Sequence, residues 1–146
     1  MSFTKILIHA VWATKDRKPY LTGEIKDIIC KHIREYAGTK NIHILNINGY
    51  QNHLHCFISL SADQNVATVM NLIKGESSFW INKNLKLDEK FGWQDEYFAV
   101  SVSQSHVDAV NKYIANQEVH HQKKTFQEEY DAFISNYNFD DEGLKP

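Results

Sequence analysis

Apolar residues at the start of the chain follow first the spacing of a strand and then the spacing of a helix. Residues 3–14 are rich in Ile, Leu, Val and Trp on both faces, which predicts a strand in the centre of a sheet. Beyond a basic loop at residues 15–19, Thr22 is placed to cap a helix and Gly38 to end it. His32 is interpreted as a packed residue of that helix. The apolar stripe of the helix comprises Ile25, Ile28, Ile29, Ile33 and Tyr36.

A hairpin is predicted next. Residues 42–47 alternate as a strand, and Asn48-Gly49 is the strongest short-range turn signal in the chain. The return strand is predicted to begin near His53 and to be buried in the sheet, because it is almost entirely apolar beyond the histidines.

The return strand carries the first chemistry in the chain. Since successive strand residues point to opposite faces, His53 and His55 share one face, and the other is apolar, with Leu54, Cys56 and Ile58. Two imidazoles on one face of a rigid strand are able to bind one cation together. The spacing alone is weak, because eight histidines in a chain of this length give about 0.4 such pairs by chance. A solvent-facing pair on an antiparallel strand stays open as the alternative.

A second helix is predicted from Asn65. Its buried stripe comprises Val66, Val69, Met70 and Ile73. Small polar residues at 74–78 then interrupt the apolar pattern and indicate one of two things. They form either a solvated helix face in which Gly75 weakens the helix or a phosphate-contacting patch that includes Lys74 and Ser77. Residues 82–90 are predicted to form a charged loop.

The last strand and two further helices complete the pattern. The strand is predicted at residues 97–102, and Trp93 and Tyr97 beside it are interpreted as core, with stacking on bases as the alternative. Ser105 caps the next helix, with Asp108 as a capping-box analogue. The apolar face of that helix is Val107, Val110 and Ile114.

The final helix has a full capping-box pattern in Thr125 and Glu128. Its apolar side comprises Phe126, Tyr130, Phe133 and Ile134. The element order is therefore βαββαβ followed by two helices. This order predicts an α+β, ferredoxin-like (split βαβ) fold, a four-stranded antiparallel sheet with helices on one face plus C-terminal helices. The 146 residues form one domain, with residues 1–124 as its main part and residues 125–146 as a C-terminal helix and acidic tail.

The charge of the chain is distributed unevenly. The formal net charge is −2, but residues 125–146 hold six acidic residues and one Lys. Residues 1–124 hold 15 basic and 12 acidic residues, a net of +3. The body is mildly basic, which permits a nucleic-acid partner without requiring one.

Cysteine content and hydropathy predict a cytoplasmic protein. Two cysteines, Cys30 and Cys56, make no disulfide framework, and both are expected to stay reduced. The apolar run at the N-terminus is too short for a signal peptide, and no run approaches the ~20 residues of a membrane helix.

A second polar pair lies on the predicted helix after the fourth strand. Tyr113 and Gln117 are four residues apart, which places them on one helix face about a turn from each other. An amphipathic helix with a polar stripe is the structural alternative. A tyrosine hydroxyl, with a pKa of about 10, attacks phosphorus poorly unless a divalent cation polarises the phosphate. The oxygen of Gln117 is a hard neutral ligand that would complete a two-histidine site for Mg²⁺ or Mn²⁺.

His53-Leu54-His55 together with Tyr113 and Gln117 resembles the HUH single-tyrosine transposases of bacterial insertion sequences and their repeat-associated relatives. The resemblance covers residues 3–121 and keeps the family's order of motifs. The further motifs are His9-Ala10-Val11-Trp12-Ala13-Thr14-Lys15 with Arg17, Leu72-Ile73-Lys74-Gly75 with Ser77-Ser78, and Trp93 with Tyr97-Phe98.

The resemblance implies a metal-dependent enzyme that acts on single-stranded DNA hairpins. Tyr113 is then the nucleophile, which forms a 5′-phosphotyrosine bond and frees a 3′-OH. His53, His55 and Gln117 are then ligands of Mg²⁺ or Mn²⁺, and His121 is a bystander rather than an assisting ligand. The resemblance also implies a homodimer whose active sites pair the histidines of one subunit with the tyrosine of the other.

DNA contacts are expected from four residues of the basic body: Lys15, Arg17, Lys74 and Ser77. Three other functions stay open. The first is a domesticated, repeat-associated hairpin endonuclease, and the second is a non-catalytic nucleic-acid-binding module of the same fold. The third is a structural zinc protein, which is disfavoured because closed zinc sites usually have four ligands that include thiolates. The acidic residues 138–146 match no motif and are interpreted as a disordered tail or a shield for the basic face.

Overall fold

The computed structural model describes residues 2–121 and 125–136. Its four strands form one antiparallel sheet in the order β2-β3-β1-β4. The strands are β1 Ile6–Ala13, β2 His43–Tyr50, β3 His53–Leu60 and β4 Phe98–Val102. The two most apolar strands, β1 and β3, occupy the centre, where both faces are covered. The α+β, ferredoxin-like arrangement predicted from the element order is confirmed.

Helices cover both faces of the sheet. On one face, α1 (Gly23–Thr39) and α2 (Val66–Asn84) bury their apolar stripes against the sheet and form the main core. On the other lie α3 (Val107–Ala115), α4 (Gln117–His120) and α5 (Phe126–Asn136). The predicted contacts of the Phe133 and Ile134 side chains, and residues 138–146, lie outside the described residues.

The hairpin turn before β3 lies at Gln51 and Asn52 and not at the predicted Asn48-Gly49. Both predicted turn residues are inside β2 and pair with β3. The Asn52 N–H donates to the carbonyl oxygen of Tyr50, and Gln51 between them has a φ of 57°. The chain therefore reverses in a tight three-residue turn immediately before His53, the first residue of β3.

Gly49 has a packing role that a turn signal does not reveal. A Cβ at this position would overlap the carbonyl oxygen of His53 on the paired strand. The real turn is fixed from outside the hairpin, because Leu21 and Gln51 exchange two backbone hydrogen bonds of 2.7 Å. The glycine thus marks a close approach of two strands next to the histidines.

Two other element boundaries differ from the prediction. Gly38 lies inside α1 and does not end it. The polar stretch at residues 74–78 continues α2 without a break, and Ser77 within it faces the core at 1% exposure. Ser105 is not a helix cap, because it lies inside a 3₁₀ turn, Gln104–His106, that leads into α3.

The other predicted caps are largely present. Asn65 accepts a hydrogen bond from the Thr68 N–H at the start of α2. In the capping box of α5, Thr125 and Glu128 each accept a hydrogen bond from the other's backbone N–H. Thr22 occupies the N-cap position of α1, but its side chain makes no capping hydrogen bond. None of the helices in the described part of the chain is long and apolar enough to cross a membrane.

Both cysteines lie where the sequence places them and are free thiols. Cys30 is half-buried in α1, and Cys56 is buried in β3. Burial raises the pKa of both thiols, that of Cys30 to about 12, so both stay protonated at neutral pH.

Candidate active site

The two histidines of β3 lie on the face of the sheet opposite the main core. His53 is 1% exposed and His55 is fully buried. Leu54, Cys56 and Ile58, which alternate with them, pack in the main core, so the predicted division of faces is confirmed. The predicted alternative of a solvent-facing pair is wrong, because the C-terminal helices cover this face of the sheet.

A carboxylate from the last helix, Glu129, lies between the two imidazoles. Its Oε1 lies 3.0 Å from Nε2 of His55 and 3.3 Å from Nε2 of His53. Glu129 is 2% exposed, and the ligand atoms of the three residues all lie within 4.8 Å of one another. Glu129 was not predicted as a site residue, because the only local signal is the capping box that starts α5, and a capping box does not indicate where a helix packs.

The helix that carries Glu129 is fixed by its first turn. The ring of Phe126 stacks on the ring of His53, with centroids 4.2 Å apart and planes 12° from parallel. Tyr130, one turn later, packs edge-on against Phe98 of β4. These aromatic contacts hold α5 against the sheet so that Glu129, between them in the sequence, points at the histidines.

Tyr113 and Gln117 both reach the histidine cluster, although they are not on one continuous helix. The hydroxyl of Tyr113 donates a hydrogen bond to Oε2 of Glu129. The ring centroid of Tyr113 lies 5.4 Å from that of His55. Gln117 begins α4 after a break at Asn116, and its Oε1 lies 3.2 Å from Nε2 of His53. The amide NH₂ of Gln117 donates to the carbonyl oxygen of Tyr113, which links the two residues across the break.

His121 also lies at the site. Its Nε2 is 3.2 Å from Oε1 of Gln117 and 3.6 Å from Oε1 of Glu129. Together with His53 and His55, three imidazole nitrogens surround a single carboxylate oxygen. Its distance from Glu129 makes His121 an outer member of the cluster.

The second ring nitrogens of the two β3 histidines have partners of their own. Nδ1 of His55 lies 2.8 Å from Nε2 of His9, a buried residue of β1. Nδ1 of His53 lies 3.1 Å from Oδ1 of Asn52. In both rings the Nε2 atom therefore faces Glu129 and the Nδ1 atom faces away from it. The sequence analysis assigned no role to His9.

Burial and mutual contacts set the charges of the cluster. Burial lowers the pKa of His53 to about 4 and that of His9 to about 3, so both are neutral at neutral pH. Burial by itself raises the pKa of Glu129, but hydrogen bonds from His121, His53 and His55 outweigh it and hold that pKa well below its usual range. A neutral His53 beside an ionised Glu129 has the protonation state in which each group binds a divalent cation.

Two of the predicted DNA contacts are engaged inside the protein. Ser77 is 1% exposed and accepts a hydrogen bond from Nε1 of Trp93, so its prediction as a DNA contact is wrong. Lys74 donates to the backbone carbonyls of Gln94 and Asp95 at 2.7 and 2.8 Å. Trp93 is 8% exposed and belongs to the core, as the first of its two interpretations stated.

The other two predicted DNA contacts, Lys15 and Arg17, are exposed at the rim of the site. The guanidinium of Arg17 lies 5.1 Å from the ring centroid of Phe126 and 5.6 Å from that of Tyr130. Arg17 borders two cavities. One of about 270 Å³ reaches His53 and His121, and a larger cleft of about 710 Å³ runs along β4 and α5.

Comparison with known proteins places this arrangement in context. Residues 2–117 match the family model described as "Transposase IS200 like". The chain is 25% identical over 115 residues to the ISDra2 transposase TnpA of Deinococcus radiodurans, a match that covers 75% of this chain and 81% of that one. It is 27% identical over 90 residues to the transposase for insertion sequence element IS200 of Salmonella typhimurium, covering 62% of this chain and 59% of that one.

Solved structures share the fold. A crystal structure from Deinococcus radiodurans R1, assigned as a transposase, superimposes with a TM-score of 0.65 at 21% identity, over 80% of this chain and 93% of that one. A REP-associated tyrosine transposase bound to a REP hairpin gives a TM-score of 0.62 at 17% identity, over 83% of this chain and 72% of that one. Glu129 lies beyond the residues that the family model matches.

Proposed function

The chain belongs to the IS200-like transposase family, and from that premise we propose that it cleaves and rejoins single-stranded DNA through Tyr113. The observation that carries the proposal is the position of the Tyr113 hydroxyl, which donates to a buried carboxylate beside two buried histidines. A protein of the same fold was solved bound to a REP hairpin, which supports a DNA hairpin as the substrate of this chain.

The proposed step exchanges one phosphodiester bond for another. The oxygen of Tyr113 bonds to phosphorus, the bond from phosphorus to the 3′ oxygen breaks, and the 3′ oxygen leaves with a proton as a 3′-OH. The proton of Tyr113 passes to Oε2 of Glu129, which already accepts its hydrogen bond, and the protonated Glu129 is the source of the proton that the 3′ oxygen takes up. The 5′ phosphate stays on the protein as a phosphotyrosine. Attack by a 3′-OH on that bond reverses the step and rejoins DNA without consuming water.

A divalent cation fits the residues beside Tyr113. Two imidazole nitrogens and a carboxylate oxygen lie within 4.8 Å of one another, and the Gln117 oxygen adds a neutral ligand. We therefore propose His53, His55 and Glu129 as ligands of Mg²⁺ or Mn²⁺, with Gln117 as a fourth. The cation supplies charge that polarises the scissile phosphate. The two oxygens of Glu129 have different proposed roles. Oε1, which faces the histidines, is the metal ligand, and Oε2, which faces Tyr113, accepts the proton of the tyrosine.

A covalent-adduct assay tests the proposal. Labelled single strands from the DNA that flanks the gene are incubated with the protein and Mn²⁺ and separated on a denaturing gel. We expect a protein–DNA adduct that Tyr113→Phe abolishes while DNA binding stays nearly intact. Tyr130→Phe, which changes a nearby tyrosine of α5 whose ring packs edge-on against Phe98, is the control and should keep the adduct. An adduct that survives in Tyr113→Phe contradicts the assignment.

The shared-site homodimer stays a prediction, and the single chain supplies a rival to it. Within one chain Tyr113 already contacts Glu129 beside its own His55, which favours a site built in cis. The test is to refold His53→Ala and Tyr113→Phe proteins together so that their subunits mix. A shared site returns cleavage in the mixture, because one site of each heterodimer is intact. A site in cis leaves the mixture inactive.

A further inference from the structure

His9 is a buried histidine without a part in the chemistry proposed above. It lies on β1, next to β3 in the sheet, and is 5% exposed. Its Nε2 lies 2.8 Å from Nδ1 of His55, and the other nitrogen of His55 lies 3.0 Å from Oε1 of Glu129. The two nitrogens of His55 are therefore divided between the candidate metal site and His9.

The proton on His55 must move when the partner of Nε2 changes. In a neutral His55 ring, an Nε2 that donates to the carboxylate of Glu129 leaves Nδ1 to accept a hydrogen bond from Nε2–H of His9. Toward a cation, Nε2 has to offer its lone pair, so the proton lies on Nδ1 and His9 has to accept it. Only a partner that both donates and accepts is compatible with both states. A neutral imidazole is such a partner.

We propose that His9 is a positioning residue for His55. It holds the ring with Nε2 toward the site, and it exchanges its donor role for an acceptor role when a divalent cation binds. The inference rests on the proposed function, since it concerns the same metal site. Outer contacts of this kind change metal affinity by about 10–100-fold.

Two amide substitutions separate positioning from packing. In His9→Gln the amide reaches the place of Nε2 and both donates and accepts. In His9→Asn the same amide is one carbon shorter and does not reach Nδ1 of His55. Titration calorimetry of the full chain with Mn²⁺ is expected to show an affinity about 10–100-fold weaker in His9→Asn and close to that of the wild type in His9→Gln. Urea unfolding of both variants reports any change in packing separately.

The outcomes distinguish this inference from the function on which it rests. A wild-type chain that binds no Mn²⁺ overturns the proposed function and the inference with it. Wild-type binding that is unchanged in His9→Asn, or weakened equally in both variants, overturns only the role of His9. If His9→Asn does not fold, long-range ¹H–¹⁵N spectra of the wild type with Mg²⁺ decide. Loss of the proton from Nε2 of His9 on Mg²⁺ binding supports the inference, and an Nε2 of His9 that stays protonated overturns it.

Discussion

The two faces of β3 are equally buried but are held by different interactions. On one face Leu54, Cys56 and Ile58 pack against α1 and α2. Burial of each large apolar side chain there stabilises the fold by about 1.5–3 kcal/mol. On the other face His53 and His55 are desolvated, which costs free energy unless each polar atom has a partner.

The polar face meets that requirement within a small cluster. Each ring nitrogen of the two histidines has a polar partner, and the partners come from four different elements or turns. Such a network adds little net stability, because its hydrogen bonds mainly replace those lost to water. We propose that one face maintains the fold and that the other carries the chemistry. Substitutions on the polar face should therefore change Mn²⁺ binding and cleavage, and substitutions on the apolar face should change the free energy of unfolding.

The largest expected effect is on the polar face. His53→Ala or His55→Ala removes a proposed ligand, so both Mn²⁺ binding and strand cleavage should fall to background. Titration calorimetry with Mn²⁺ and the adduct assay measure the two properties. His43→Ala, at an exposed histidine of β2, is the matched control and should change neither. Unchanged Mn²⁺ binding in both ligand variants would remove the metal site from the account.

The opposite pattern is expected on the apolar face. Leu54→Ala should lower the free energy of unfolding by about 2–5 kcal/mol, because it leaves a cavity in the main core. The folded fraction should bind Mn²⁺ as the wild type does. Urea unfolding and calorimetry measure the two quantities. If the folded variant is unstable, Ile58→Val, which should cost about 0.5–1.5 kcal/mol, replaces it. A selective loss of Mn²⁺ affinity in either variant would mean that the faces are not independent.

Acid should weaken the fold through the polar face. The pKa values of His53 and His9, about 4 and about 3 in the folded chain, are below the usual value of about 6.5. The unfolded chain therefore takes up these protons first, and stability is lost as the pH falls below about 6.5 toward the folded pKa values. The free energy of unfolding is expected to fall by about 1.4 kcal/mol per pH unit for each histidine.

Urea unfolding between about pH 7 and pH 5 measures this slope. His53→Gln should reduce this slope by about the share of one histidine. An identical slope in His53→Gln and the wild type would show that the folded chain takes up the proton as readily as the unfolded chain.

The smallest expected effect concerns DNA binding at the rim. Arg17→Gln should weaken binding of single strands about equally for all sequences and reduce the slope of log K against log salt concentration by about 1. Lys31→Gln removes an exposed charge from α1, on the other side of the sheet, and should leave the slope unchanged. Salt titrations of fluorescence anisotropy report both slopes. Equal slopes for the two variants would show that the DNA does not contact Arg17.

The comparison of faces also explains which features the sequence predicts. Period-two alternation in β3 requires His53 and His55 to share a face. The four-residue spacing of Tyr113 and Gln117 keeps them close although the helix breaks at Asn116. Both signals are local. Glu129 reaches the site because α5 packs against this face, where Phe126 stacks on His53 across more than seventy residues of chain, and no local pattern encodes that contact. Gly49 indicates a turn by composition, but the close approach of His53 determines its position in the strand.

We propose that the polar face directs attack by Tyr113 on a phosphodiester. The most direct measurement is tandem mass spectrometry of the protein after reaction with single-stranded DNA and Mn²⁺ and digestion of both components. We expect a nucleotide joined through its 5′ phosphate to the peptide that contains Tyr113. A nucleotide on any other residue, or a cleaved strand with no nucleotide on the protein, would contradict it.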